Sequence, residues 1–297
     1  MEQRRFIFIP LIFILAVIIS CKSGGKSETD SFDFDEISLE DEKNIMNSTD
    51  TIGAGLPIFY NMYLSVEMSS LFESIGAVFN ADILNNTSKL PEYITSSKKA
   101  LNIGVYAVDL SYSRIFEQIE FTSRYFNAMQ KLSEELGIPS DYFLSTAQRF
   151  DRNINDKDSL IIIANEVYVT TDDYLRENER YSAAAQIILG GWTEALYIAM
   201  HIAKESKEIE VFERVSEQKY SLENLIEMLK NYDDDEVIGH YLSKLENMRE
   251  SFNALNKEVN IDIEPDTEAE KKQIERILTT IVDLEKNINE IRGEIVG

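Results

Sequence analysis

Cysteine is nearly missing from this chain: among 297 residues there is one, at position 21. A single thiol closes no intramolecular disulfide, so stability must come from a packed core. Proline and glycine are scarce as well, with five and twelve. That argues against a strand-and-turn protein and for long uninterrupted helices. Histidine occurs twice and tryptophan once, so His201 and His240 are the only histidine bases on offer near neutral pH. Positive charge is in short supply: 29 Lys and Arg stand against 53 Asp and Glu, a net charge of −24. Such a surface repels phosphate backbones and disfavours nucleic-acid binding. It also serves plain solubility. The chain lacks a glycine-rich phosphate loop, a Gly-x-Ser-x-Gly elbow and a His-Glu-x-x-His pair.

What is present begins at the amino terminus. Arg4 and Arg5 precede Phe6–Ile19, an apolar run of 14 residues, too short to span about 30 Å of hydrocarbon comfortably. A basic start, an apolar core and small residues behind it are the parts of a secretory signal. The final Ile18-Ile19-Ser20-Cys21 resembles the bacterial lipobox. The resemblance implies lipid transfer to the Cys21 thiol, cleavage after Ser20 and stable anchoring by several acyl chains. The competing reading is an uncleaved membrane helix. With Cys21 spent on the anchor, no thiol remains for catalysis. The expected division is a signal peptide over 1–20, a lipidated Cys21 with a tether over 21–50, and one all-helical domain over 51–297. Glu28–Glu42 carries eight acidic residues and no basic one, which keeps a segment extended and solvated. A stalk is favoured there over a sorting signal.

Helical spacing then dominates. Leu56, Phe59, Tyr63, Val66 and Leu71 predict a helix over 57–77, with Pro57 in its first turn. Asn85-Asn86-Thr87 and Leu90-Pro91 break the pattern. The next apolar face, Leu101, Val105, Val108 and Tyr112, opens a helical stretch from Ser96 that continues to Leu136, where Gly137 and Pro139 mark its stop. Short and longer helices are expected over 140–150 and 158–180. Tyr181–Ala203 reads as a buried helix rich in small residues. Gly190 and Gly191 cost about 1 kcal/mol each against alanine in such a helix, and close helix–helix approach is the compensation. Residues 208–231 and 234–257 read as an antiparallel pair. In the last helix Ile274, Ile277, Ile281, Leu284, Ile288, Ile291 and Ile295 alternate steps of three and four, a three-heptad seam. It either packs back on its own bundle or pairs with a partner or second copy. Ile103-Gly104, Tyr106 and Leu110 are echoed by Leu189-Gly190, Trp192 and Leu196 at an offset of 86, which raises the possibility of a duplicated helical unit.

The phrase Leu101-Asn-Ile-Gly-Val-Tyr-Ala-Val-Asp-Leu-Ser-Tyr112, with Leu132-Ser-Glu-Glu-Leu-Gly-Ile138 beyond it, resembles a group of uncharacterised all-helical lipoproteins of Bacteroidetes. The resemblance covers this stretch and the lipobox. It implies a helical fold and an envelope location, and it carries no activity.

Candidate sites are few. Asp109 sits between Tyr106 and Tyr112 in an apolar helix, and a buried aspartate must find a partner. The tyrosine hydroxyls or Arg114 could serve. Glu194, His201 and Glu205 share a helical face with Tyr197, but a metal site needs a second such helix, so a core histidine and solvated glutamates are favoured. Asp151-x-Asn153-x-Asn155 starts like a calcium loop, yet Asp156 and Ile162 stand where glycine and glutamate belong. No metal and no cofactor are expected. The reading that results is an all-α multi-helix bundle, lipid-anchored in a Gram-negative envelope, with outer-membrane attachment expected. Its function is expected to be a non-catalytic binding or scaffold role. The alternative is a small-ligand binder with a pocket between the glycine-bearing helices around Tyr106, Asp109, Tyr112 and Trp192.

Overall fold

A computed structural model describes residues 71–72, 74–139, 152, 174–175, 177–261 and 268–297. Among these residues there is no strand, and eight α-helices form an all-α array. They are α1 Ser96–Ile115, α2 Ile119–Glu135, α3 Tyr181–Ser206, α4 Ile209–Leu229, α5 Glu236–Asn247, α6 Arg249–Val259, α7 Glu268–Thr280 and α8 Val282–Val296. The polar breaks read from the sequence become capped turns. Asn80 and Asn86 cap two short 3-10 segments, Thr95 accepts from Lys98 N to start α1, and Asp235 accepts from Val237 N and Ile238 N to start α5. Each cap satisfies a donor that the first helical turn leaves orphaned.

The array is built on α1 and α3. They pack more extensively on each other than any other pair, α2 folds back on α1, and α4 folds back on α3. A Cβ placed on Gly190 would fall well inside the Leu101 carbonyl, and one on Gly104 would strike the Ile187 carbonyl and the Gly191 nitrogen. The two backbones therefore meet without side chains between them. The close approach expected from Gly190 is real, and Gly104 is its counterpart. The offset of 86 maps Leu101 to Ile187 and Gly104 to Gly190, so it exchanges the two contacts. The sequence echo is thus also a local two-fold relation in the packing.

Three expected helices are interrupted. The stretch from Ser96 to Leu136 is two helices, because Glu117 takes a left-handed conformation (φ 57°). Glu117 N then donates to Arg114 O and Gln118 N to Ser113 O, at 2.8 Å each, and the chain reverses. Met248 and Ile281 each interrupt what the sequence reads as one helix, giving α5/α6 and α7/α8. Both keep near-helical angles, ψ −15° and −5°. Phe212, Ile226, Leu245 and Phe252 are fully buried among α4, α5 and α6. In the final seam Ile277, Ile281, Leu284, Ile288, Ile291 and Ile295 are buried within this chain, while Ile274 is half-buried. The seam packs on α3, α1, α5 and α6, which is the packing back on its own bundle read as one alternative.

The signal segment, Cys21, the tether, the Asp151–Asn155 loop and most of the helices expected over 57–77, 140–150 and 158–180 lie outside the described residues. Among those described, no helix is long and apolar enough to cross a membrane.

The glycine contact makes a paired prediction. Gly190→Ala should destabilise by about 1–3 kcal/mol, because the clash is with backbone that cannot rotate away. Gly293→Ala, in α8 with nothing within 4 Å of its would-be Cβ, should stabilise by about 0.8–1 kcal/mol through helix propensity. Urea unfolding midpoints of the two variants check both signs.

Candidate functional site: a sealed charge cluster beside the glycine contact

One turn beyond Gly190, on the same face of α3, stands Glu194. On α1, five residues beyond Gly104, stands Asp109. Both are fully buried, and the charge of Glu194 acts on Asp109. The cation comes from α8. Arg292 donates from Nε to Glu194 Oε2 at 2.6 Å and from a terminal nitrogen to Glu194 Oε1 at 2.7 Å. That second nitrogen also donates to the Ile83 carbonyl at 2.9 Å. The guanidinium lies 3.9 Å from the Tyr197 ring centroid, a cation–π contact in partly desolvated surroundings. This is the planar two-point geometry that arginine supplies and lysine does not.

Asp109 is not held as expected. Its Oδ2 accepts from the Asn85 backbone N–H at 3.1 Å, and its cation is Arg292 rather than Arg114. Tyr106 and Tyr112 flank it in sequence, but their hydroxyls bond to other groups. Tyr106 donates to Asn86 O at 3.4 Å, and Tyr112 Oη accepts from Asn80 N at 3.1 Å. Tyr112 also stacks in an aromatic group with Phe79 and Phe116. Of the four residues proposed as ligand contacts, Tyr106 and Asp109 belong to this cluster and Tyr112 borders it. Trp192 does not. Two residues before Glu194, it faces the other side of α3, where its indole N–H donates to Ser221 Oγ at 2.8 Å. A shallow crevice there, lined by Trp192, Ala199, Val215 and Gln218, has room for about one water molecule. Between α1 and α3 the glycine contact leaves no space.

Asn85 extends the network. Its side-chain amide donates to Tyr93 Oη and to Asn102 Oδ1, both at 3.0 Å. Asn102 in turn donates to the Ile295 carbonyl at 3.0 Å. Lys89 donates to Val296 O at 2.9 Å and Lys98 to Gly297 O at 2.8 Å. Positive charge on the last carbonyls of a helix favours its dipole. Helix α8 is thus fixed twice, by Arg292 and by its final turn.

Burial first, then the Glu194 charge, pushes Asp109 well above the usual carboxylate range, against the pull of Arg292. For Arg292, burial works to weaken the cation, but the Glu194 charge and hydrogen bonds outweigh it and raise the guanidinium above its ordinary value. Burial likewise raises Tyr106 and Tyr125 beyond any physiological titration. The two histidines do not join this cluster. His201 Nδ1 lies 3.0 Å from Tyr197 O, and His240 Nε2 lies 2.8 Å from Glu294 on the surface. Glu194, expected to be solvated, is the best buried carboxylate of the set. Among the described residues no three acidic, histidine or cysteine side chains could hold a metal ion. Arg292 and Asn85 were missed in the sequence. An arginine between Ile291 and Ile295 on a buried seam was the one signal available for the first, and none marked the second.

Comparison with known protein families, with curated proteins and with solved structures gives no match for this chain. Its chemistry is therefore argued from these residues. The cluster can bind a helix and hold charge; it presents no reacting group to solvent.

Arg292→Met should cost about 3–5 kcal/mol, since it leaves Glu194 buried without its counter-charge. Arg292→Met combined with Glu194→Gln should recover part of that loss, because a neutral amide replaces the stranded charge. Chemical denaturation of the two variants measures the coupling.

Proposed function

We propose that this chain is a lipid-anchored protein of a Gram-negative cell envelope, attached to the outer membrane through Cys21, whose helical domain serves as a non-catalytic binding or scaffold module. The anchor rests on Arg4-Arg5, the apolar run Phe6–Ile19 and the Ile18–Cys21 sequence, with the resemblance of 101–112 and 132–138 to helical lipoproteins in support. One observation carries the non-catalytic part. Among the described residues, the buried grouping of acids and a cation is turned inward: Asp109 and Glu194 are 0% exposed, and Arg292 donates from Nε and one terminal nitrogen to Glu194 and Ile83 O. Catalytic groups need access to a substrate, and the two carboxyls have none. What faces solvent is a strongly acidic surface, suited to a partner with complementary positive charge.

The anchor is tested by expressing the chain in a Gram-negative host with a labelled fatty acid. The wild type should carry label and fractionate with membranes, whereas Cys21→Ala should carry none and should not be cleaved after Ser20. Label on the alanine variant would end the lipidation reading. A thermal-shift panel of metals, glycans and small metabolites tests the module. A ligand at a hundredfold excess over its Kd stabilises a native state by about 2.7 kcal/mol; no compound in the panel should do so.

A further inference from the structure

We propose that the Asp109–Glu194 pair holds one structural proton, and that this proton closes the joint between α1, α3 and α8. The donor count requires it. Arg292 commits two nitrogens to the two oxygens of Glu194 and shares one of them with Ile83 O, and none of these bonds reaches Asp109. Asp109 Oδ2 receives the Asn85 N–H. Asp109 Oδ1 is sealed from water with no donor among the described residues. An ionised carboxylate accepts at both oxygens, whereas a carboxylic acid is itself a donor. A proton on Oδ1 turns the orphan acceptor into a donor, and Glu194 is the carboxyl whose charge acts on it. Two buried carboxyls facing one guanidinium then carry one negative and one positive charge, and the cluster is neutral.

Among the described groups that face Asp109, none besides Arg292 carries a positive charge. The groups facing Asp109 are Glu194 and Tyr197 from α3, Arg292 from α8, Tyr125 from α2, Tyr106 from α1 itself and Tyr93 just ahead of α1. Burial raises all four tyrosines above their ordinary range, so they remain neutral. Paired buried carboxyls that share one proton are the expected outcome when like charges are held together in low dielectric.

The sign of the consequence is unusual for an acidic protein. An unfolded aspartate loses its proton near pH 3.9, while the native Asp109, raised well above that, keeps it. Between the two values the native state binds one proton more than the unfolded state, so stability falls as pH rises. The unfolding constant climbs by up to tenfold per pH unit until the native value is passed. Glu223 and Glu294 act oppositely. Hydrogen bonds from Arg249 and from Lys244 hold them below the usual range, so their contribution is present at neutral pH and lost on acidification. Comparing variants at each pH separates the two behaviours.

The test uses the full chain, its Asp109→Asn variant and its Glu194→Gln variant. Asparagine mimics the protonated acid. Glutamine leaves one carboxyl to one guanidinium. Urea unfolding from about pH 5 to about pH 8 should show the wild-type unfolding constant rising relative to Asp109→Asn, by up to tenfold per unit. Infrared spectroscopy at neutral pH should show the carbonyl stretch of a buried protonated carboxyl in the wild type and in neither variant. Should Asp109→Asn fail to fold, Glu194→Gln decides alone. A slope parallel to the wild type, or a persisting carboxyl band, in either folded variant overturns the proposal.

Discussion

Where α1 and α3 meet at Gly104 and Gly190, two peptide backbones touch with no side chain between them, and the rest of the array is arranged around that contact. Close approach of this kind excludes water from whatever lies beside it. Asp109 and Glu194 lie beside it, so burying the glycine pair also buries two carboxyls. Burying a charge without a partner costs several kcal/mol. The fold meets that demand from the far end of the chain, with Arg292 on α8. The apolar seam of α8 and its arginine therefore work together. The isoleucines place the helix against the α1–α3 pair, and the guanidinium answers the charge that the pair has sealed in.

This dependence explains why so many polar groups converge on one helix end. Tyr93, Lys89, Lys98 and Asn102 form a second set of bonds to the last carbonyls of the chain's final turn, and Asn85 holds Tyr93 and Asn102 in place. These are the acceptors that any helix terminus leaves unpaired. With both its middle and its end fixed, α8 closes the joint that α1 and α3 open. Surface ion pairs such as Arg249–Glu223 are well formed but exposed, and pairs of that kind contribute little to stability.

Much of this was legible in the sequence, and the limits have physical causes. Gly190 in a helix that otherwise favours alanine pointed to close packing, while the offset of 86 suggested only a repeat, and Gly104 as its counterpart came from the packing. The three-four spacing of Ile277–Ile295 located the face of α8. The reversal at Glu117 was not legible, because a left-handed helix end usually advertises itself with glycine, and here glutamate adopts it at a cost of about 1–2 kcal/mol. The pairing of Glu194 with Arg292 was not legible either. Nothing local links residues 98 positions apart, and Glu194 in its own helix reads as one more solvated glutamate. Asp109 was singled out as a buried acid in need of a partner, and its actual partners could be found only once the three helices were in place.

A charge cluster that is fully internal, held by the fold and not offered to solvent, describes a domain whose interior serves its own architecture. In the function we propose, contacts with other molecules fall on the acidic exterior and on the anchor at Cys21. The claim on which this account stands is that the α1–α3 contact is the structural centre. Native-state hydrogen exchange addresses it most directly, since the slowest amides report the part of a protein that opens only on global unfolding. The account predicts greatest protection for amides of 100–110 in α1 and 186–196 in α3. Greatest protection in α4–α6, with α1 and α3 exchanging through local opening, would contradict it.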